Sequence, residues 1–321
     1  HARAYSASAL AHFTACPYRF FLHAIMGVAE RPEVFAVDEL DARQRGVLFH
    51  RVQRALLSDL SRDGKLPVTR DSLPDAQRAL ESTFARLSAR ARDDYAPSIG
   101  DVFETSLSAI QRDLTEWLER AVQEKVFVPW HFELGFGVRH GELDDTSARE
   151  PVELPIGIRL SGAIDLVERA HFKTEGEREL LRATDYKTGA VPDKLGIVGG
   201  GRVLQPLLYA LALEQLFPEA RVTSGRLYFC TARGEYKSHE VALDGTGRAV
   251  MSDLVRSIDA MIEQGFLPAA PAPLPSDREK FECERCAYRP VCGPYEAERV
   301  GAVKSRELSR LAPLFKVRGL P

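Results

Sequence analysis

Two apolar runs in this chain carry an acid where a strand would be buried. Residues 161–168 read SGAIDLVE, with Asp165 in the middle; residues 183–189 read ATDYKTG, with Asp185 one spacer before Lys187. An unpaired buried carboxylate costs several kcal/mol, so a fold that buries these runs must bring each acid a partner. Pairing them as antiparallel strands with Asp165 opposite Asp185 centres the turn at residue 175, inside the polar stretch HFKTEGERE. Cross-strand neighbours then lie about 4.5–5.5 Å apart, close enough to share a cation. Strand alternation puts Lys187 on the face of Asp185 and points Tyr186 away. Two carboxylates offer hard oxygens to Mg²⁺, and an ammonium beside them can orient water or stabilise developing negative charge. A cross-strand salt bridge on a solvated face is the other outcome. These residues alone leave both open.

The whole chain sets wider bounds. With 321 residues, 45% hydrophobic and 28% charged, it can bury a real core in one large or two modest domains. No apolar run approaches the roughly 18–20 residues of a membrane span, so no membrane association is expected. Neither a signal peptide nor an initiator Met opens the sequence, which suggests a piece of a longer protein. A net charge of −3 gives no global attraction to nucleic acid, although an acidic catalytic cluster would offset local basic patches. Five cysteines are an odd count for a disulfide scaffold and point to a reducing, cytoplasmic compartment.

Periodicity predicts the organisation. Residues 6–26 read as an aromatic-rich amphipathic helix, opened by Ser6 or Ser8 and interrupted near Pro17. From Asp38 to about Lys125 the pattern is helical in three segments, broken near DGKLP and DDYAPSIGD. Strand-like runs follow, WHFELGFGV, IGIRLSGAIDLVE, ELLRATDYK, SGRLYFCT and EYKSHEVAL, interleaved with the helices RVLQPLLYALALEQLF and GRAVMSDLVRSIDAMIEQG. VGGGR at 198–202 lacks the lysine of a phosphate-binding loop and reads as a flexible lead-in to the Gln205 helix; no ATPase motif occurs. LPAAPAPLPSD reads as a linker to the cysteine-rich segment 281–295. The expected fold is α/β, a mixed sheet flanked by helices with a helical insertion ahead of it. It forms one unit over 1–321: an N-terminal helix in 1–37, a helical region in 38–127, an α/β core in 128–266, and a linker, cysteine segment and tail in 267–321.

Two further spacings matter. RGVLFH sets Gly46 and His50 one helical turn apart, and QPLLY does the same for Gln205 and Tyr209, with Pro206 tolerable in a first turn. Alone, each reads as ordinary packing. In order, Gly46–His50, Gly162–Asp165, Asp185–Tyr186–Lys187 and Gln205–Tyr209 spell G-x-x-x-H, G-x-x-D, D-x-K and Q-x-x-x-Y. That ordered set resembles the PD-(D/E)XK nucleases, specifically their RecB-type branch, over nearly the whole chain; Ile164 stands where the superfamily name has proline. The resemblance implies a restriction-endonuclease-like sheet and a site for Mg²⁺ or Mn²⁺. His50, Asp165 and Asp185 would ligate the ion with the Tyr186 carbonyl. Lys187 would position water or stabilise charge, and Gln205 and Tyr209 would line the site. Glu133, in HFELGFG, matches a looser acidic position and is a minor candidate.

Cys283, Cys286 and Cys292 are spaced C-x₂-C-x₅-C, with Cys16 remote in ACPYRFF. Thiolates so placed suit a shared metal, and zinc usually takes two local pairs. One remote and three clustered cysteines resemble the iron–sulfur nucleases of the RecB-type branch, among them the C-terminal nuclease domain of the AddB chain in AddAB-type helicase–nucleases. There a [4Fe–4S] cluster, held by four thiolates, staples the chain ends. Zinc is the alternative. Cys230 reads as a small buried hydrophobe. The resemblance implies a metal-dependent DNA nuclease, an exo- or endonuclease that hydrolyses phosphodiester bonds in single-stranded or unwinding DNA. It would process ends for recombinational repair together with a helicase subunit or fused helicase-like region. The other readings are a free-standing RecB-like nuclease of the CRISPR-adaptation type, a nuclease-dead DNA-binding module, and a zinc-stapled interaction domain.

Overall fold

Local signals place most of the elements. The structure, a computed structural model, describes residues 3–29, 37, 39–170, 178–192, 195–274, 280–293 and 296–321. After β1 (Ala4–Tyr5), α1 (Ala7–Ala15) starts at Ser6, whose side chain accepts from the Ala9 N–H. Pro17 has no N–H to extend that helix, so α2 (Pro17–Phe20) restarts at the proline and runs into a π-helical turn over Phe21–Ile25. The expected three-part helical region is α3 (Ala42–Arg62), α4 (Leu73–Tyr95) and α5 (Gly100–Ala121), with α3 opened by an Asp41–Gln44 capping box. Next come β2 (Phe127–Phe136), β3 (Val152–Leu154), β4 (Ile158–Leu160), β5 (Gly162–Ala170), β6 (Leu180–Lys187), α6 (Gln205–Leu216), β7 (Arg221–Phe229), β8 (Ser238–Ala242) and α7 (Gly245–Glu263). The last helices described are α8 (Arg289–Cys292), α9 (Glu296–Arg306) and α10 (Ala312–Arg318). Among the described residues, no helix is long and apolar enough to cross a membrane.

The central sheet runs β2-β5-β6-β7-β8, with β6 and β7 parallel and the other neighbours antiparallel. A parallel pair needs a crossover, and α6 supplies it, buried from Pro206 to Leu213 against one face. Helices α3–α5 cover the other face, packing Phe49, Val52 and Trp117 against Phe132, Leu166 and Tyr186. The mixed sheet flanked by helices is the expected fold. The expected run IGIRLSGAIDLVE is two strands rather than one. Strand β4 joins β1 and β3 in a small second sheet, and β5 enters the central sheet after Ser161. Apolar alternation continues through the switch, so periodicity alone gives no sign of a change of partner.

Two segments expected to be loose are packed. In VGGGR the Val198 and Gly199 N–H groups donate to the Pro321 carbonyl and that of Gly200 to Leu320, and Thr14 Oγ1 donates to the Gly201 carbonyl at 2.7 Å. A Cβ on Gly201 would fall 2.3 Å from Thr14 Cγ2, so no larger residue fits there. In the proline-rich stretch Ala270, Ala272 and Leu274 are buried, and the Ala272 N–H donates to the Ala15 carbonyl. Arg318 donates to the carbonyls of Thr14, Ala15 and Ala270, satisfying groups that the end of α1 leaves open. The expected turn centred on residue 175 lies outside the described residues.

Two contacts hold the sheet under its helices. A Cβ on Gly225 would sit 1.8 Å from the Pro206 carbonyl oxygen, so β7 meets the first turn of α6 backbone to backbone. On the other face Glu168, 3% exposed, accepts from Arg182 Nε and Nη2, Arg226 Nη2 and Thr184 Oγ1. Burial alone pushes the Glu168 carboxyl up, but Arg226 and Arg182 hold it below its ordinary range. Glu124 shares Arg182; burial opposes that pairing too, and its carboxyl still falls to about 2.

Gly225→Ala is expected to lower stability by at least the roughly 1–3 kcal/mol of overpacking, read as a lower thermal midpoint. Glu168→Ala would strand two buried guanidiniums, a loss of about 3–5 kcal/mol by chemical denaturation. Depressed carboxyls contribute stability above their unfolded value and lose it as pH falls through the folded one. The wild-type midpoint should therefore hold above pH 4.5 and fall towards about 2, with a shallower acid slope in Glu124→Gln.

Candidate metal centre

Strand register sets three carboxylates in a row. Beyond a bulge at Trp130, β2 pairs with β5 so that Phe132 lies opposite Leu166 and Leu134 opposite Ile164, which puts Glu133 level with Asp165. Strand β5 pairs with β6 so that Leu166 lies opposite Thr184, which puts Asp165 level with Asp185, as the sequence led us to expect. Before the bulge Pro129 lies opposite Glu168; carried on unchanged, that register would bring Phe132 beside Asp165 in place of Glu133. Glu133 also sits at φ +55°, a left-handed conformation that costs a non-glycine residue of order 1–3 kcal/mol.

Helix α3 brings the imidazole. A Cβ on Gly46 would lie 3.3 Å from Thr188 Oγ1, so the glycine lets α3 close onto the loop after β6. One turn later His50 Nδ1 stands 3.4 Å from Asp165 Oδ2, with its ring edge-on to Tyr186. Ligand atoms of His50, Glu133 and Asp165 all lie within 4.8 Å of one another. The Tyr186 N–H donates to Asp165 Oδ2 at 2.7 Å. Asp185 is engaged differently: Oδ1 accepts from Gln205 Nε2 at 2.8 Å, and Oδ2 pairs with Lys187 Nζ at 2.6 Å. Gly162 leaves room for the Tyr209 ring, which a Cβ there would meet at 3.4 Å. The expected residues thus converge, with Glu133 in the tight group and Asp185 held by Lys187 and Gln205 beside it. Glu133 carries more weight than its loose sequence match suggested, because bulge and backbone conformation aim it.

The electrostatics follow from burial. Burial pushes the Asp165 carboxyl well above its ordinary range, and Asp185 and Glu133 add to the rise. Burial raises Glu133 to about 7, with Arg54 opposing and Asp185 adding. Burial lowers His50, Asp185 pulling it back up and Lys187 further down, so its imidazole is neutral near pH 7 with a lone pair to offer. Burial also pushes the Tyr209 hydroxyl up, so it remains a donor. Repelling carboxylates with a neutral imidazole form a donor set that suits Mg²⁺ or Mn²⁺.

A second cluster lies at the other end of α1. Cys16, Cys283, Cys286 and Cys292 line one pocket together, with Tyr18 and Tyr288 among its walls. Burial pushes the Cys16 thiol up, and Cys286 adds to the rise. The Tyr288 hydroxyl donates to the Val28 carbonyl at 2.7 Å and lies 3.2 Å from His23 Nδ1, tying the cysteine segment to the N-terminal helices. Four sulfurs around one pocket fit either a [4Fe–4S] cluster or zinc. Cys230 is fully buried among apolar residues, as expected.

A model of the PD-(D/E)XK nuclease superfamily matches residues 4–293. The chain is 33% identical over 234 residues to the second, or B-type, subunit of the ATP-dependent helicase/deoxyribonuclease from Symbiobacterium thermophilum, covering 70% of this chain and 19% of that relative. It is 27% identical over 242 residues to the protein of the same name from Moorella thermoacetica, again covering 70% and 19%. The chain therefore spans about a fifth of the length of these curated relatives. The ordered motifs, the mixed sheet and the row of acids all fall inside the superfamily match, and the chain belongs to the PD-(D/E)XK nuclease superfamily.

Proposed function

We propose that this chain is the nuclease domain of an AddB-type helicase–nuclease subunit and hydrolyses DNA phosphodiester bonds with Mg²⁺ or Mn²⁺. The observation that carries the reading is the row Glu133–Asp165–Asp185 with His50 and Lys187 at its edges. His50, Glu133 and Asp165 would hold the ion, joined by Asp185 and the Tyr186 carbonyl. The ion supplies Lewis-acid polarisation of a phosphate oxygen when bound. The Tyr186 N–H fixes Asp165, and Gln205 fixes Asp185. Lys187, its side chain 33% exposed, is free to turn from Asp185 towards the attacking water or the charge developing on phosphorus. Tyr209 lines the site as a neutral donor.

The relatives' printed names supply the context: a helicase partner in the cytoplasm would deliver single-stranded or unwinding DNA, and the domain would trim it during end processing for recombinational repair. Cys16, Cys283, Cys286 and Cys292 would hold a [4Fe–4S] cluster that staples the first helix to the cysteine segment.

Cleavage of labelled single-stranded DNA should stop in excess EDTA, and undiminished cleavage there would sink the metal reading. Asp165→Ala and Asp185→Ala should each abolish cleavage; Lys187→Ala should lower turnover by about 10²–10³ with DNA binding and melting retained. Cys286→Ala should bleach visible absorbance near the cluster band and lower the thermal midpoint, since joining remote segments is worth a few kcal/mol. A colourless wild type with stoichiometric zinc would replace the cluster with zinc.

A further inference from the structure

Arg54 stands one helical turn beyond His50 on α3, so both side chains leave the same face. Its charge acts on Glu133, the acid at the near end of the row. The guanidinium is half used: Nη1 donates to Glu142 Oε2, while Nε is buried without an acceptor. Glu142 belongs to the loop between β2 and β3 and is 72% exposed. Two residues on, Asp144 pins that loop to the strand carrying Glu133. Its N–H donates to the Glu133 carbonyl at 3.0 Å, and its carboxylate accepts from the Phe132 N–H and pairs with His131 at 3.1 Å. The loop thus lays a carboxylate on an arginine at the rim of an already acid-rich site.

We propose that Arg54 binds a phosphate of the substrate strand, and that Glu142 occupies its guanidinium as a stand-in for that phosphate until DNA displaces it. An exposed ion pair contributes about 0–1 kcal/mol, so the pair is readily exchanged. A phosphodiester offers a second acceptor oxygen, and a guanidinium binds such groups through two parallel N–H bonds, which would also satisfy Nε. The inference rests on the nuclease reading above. It adds to it a substrate contact outside the recognised motifs, and an internal competitor for that contact.

The test is anisotropy of fluorescein-labelled oligo(dT) with the full chain in EDTA, at several salt concentrations, with cleavage assayed in parallel in Mg²⁺. Glu142→Gln should tighten binding several-fold and lower KM. Arg54→Met should weaken binding about ten-fold and flatten the log–log salt slope by about 0.7, one phosphate contact on a single strand. Arg54→Lys should recover the slope but only part of the affinity, because an ammonium lacks the fork. If both Glu142→Gln and Arg54→Met bind with wild-type affinity and slope while wild type binds and cuts, this inference alone is wrong. If wild type neither binds nor cuts, the nuclease reading fails and takes this one with it. Should Arg54→Met not fold, Glu142→Gln decides, since its exposed side chain has no structural burden.

Discussion

Mutual repulsion among carboxylates on adjacent strands is the constraint around which this structure is arranged. Glu133, Asp165 and Asp185 sit in one row across β2, β5 and β6, largely removed from water, and each raises the cost of ionising its neighbour. The surroundings answer that cost group by group. The Tyr186 N–H serves Asp165, Gln205 and Lys187 serve Asp185, and Arg54 faces Glu133. None of these removes the repulsion, and a divalent cation is the chemistry that would.

The two faces of the sheet show what the alternative looks like. Under α3–α5, Glu168 is as deeply buried as Asp165, yet two arginines, a threonine hydroxyl and the shared Glu124 leave it fully satisfied and firmly ionised. That cluster is structural: acid and base numbers match and nothing in it calls for a ligand. Towards α6, acids outnumber cations and their carboxyls are pushed up. Alternation along a single strand, Asp165 to one side and Glu168 to the other, separates a stability site from a reactive one by three residues.

How much of this was legible in the sequence follows from the range of each interaction. The pairing of Asp165 with Asp185 was readable because two alternating runs flank a short polar stretch, which leaves little freedom of register. Gly46 with His50 and Gln205 with Tyr209 were readable because helical spacing is local. Glu133 was not, since its place depends on a bulge at Trp130 and a left-handed backbone, both fixed by pairing with β5. Gly225 looked like any strand glycine until Pro206 arrived against it. VGGGR looked flexible because its partners, Thr14, Leu320 and Pro321, lie more than a hundred residues away in either direction.

That last segment also shows how a remote staple can matter to the site. Cys16 follows α1, whose Thr14 donates to the Gly201 carbonyl and packs where no larger residue than glycine fits. Four residues after Gly201, α6 begins with Gln205, the donor that fixes Asp185. Arg318 closes the arrangement by holding the carbonyls of Thr14, Ala15 and Ala270 at once. Since packed interiors do not deform smoothly, freeing the end of α1 shifts the glycine turn, and with it the first turn of α6. The cysteine pocket and the acid row are thus joined by consecutive contacts through α1, the glycine turn and α6, with each link a hydrogen bond or a close backbone approach.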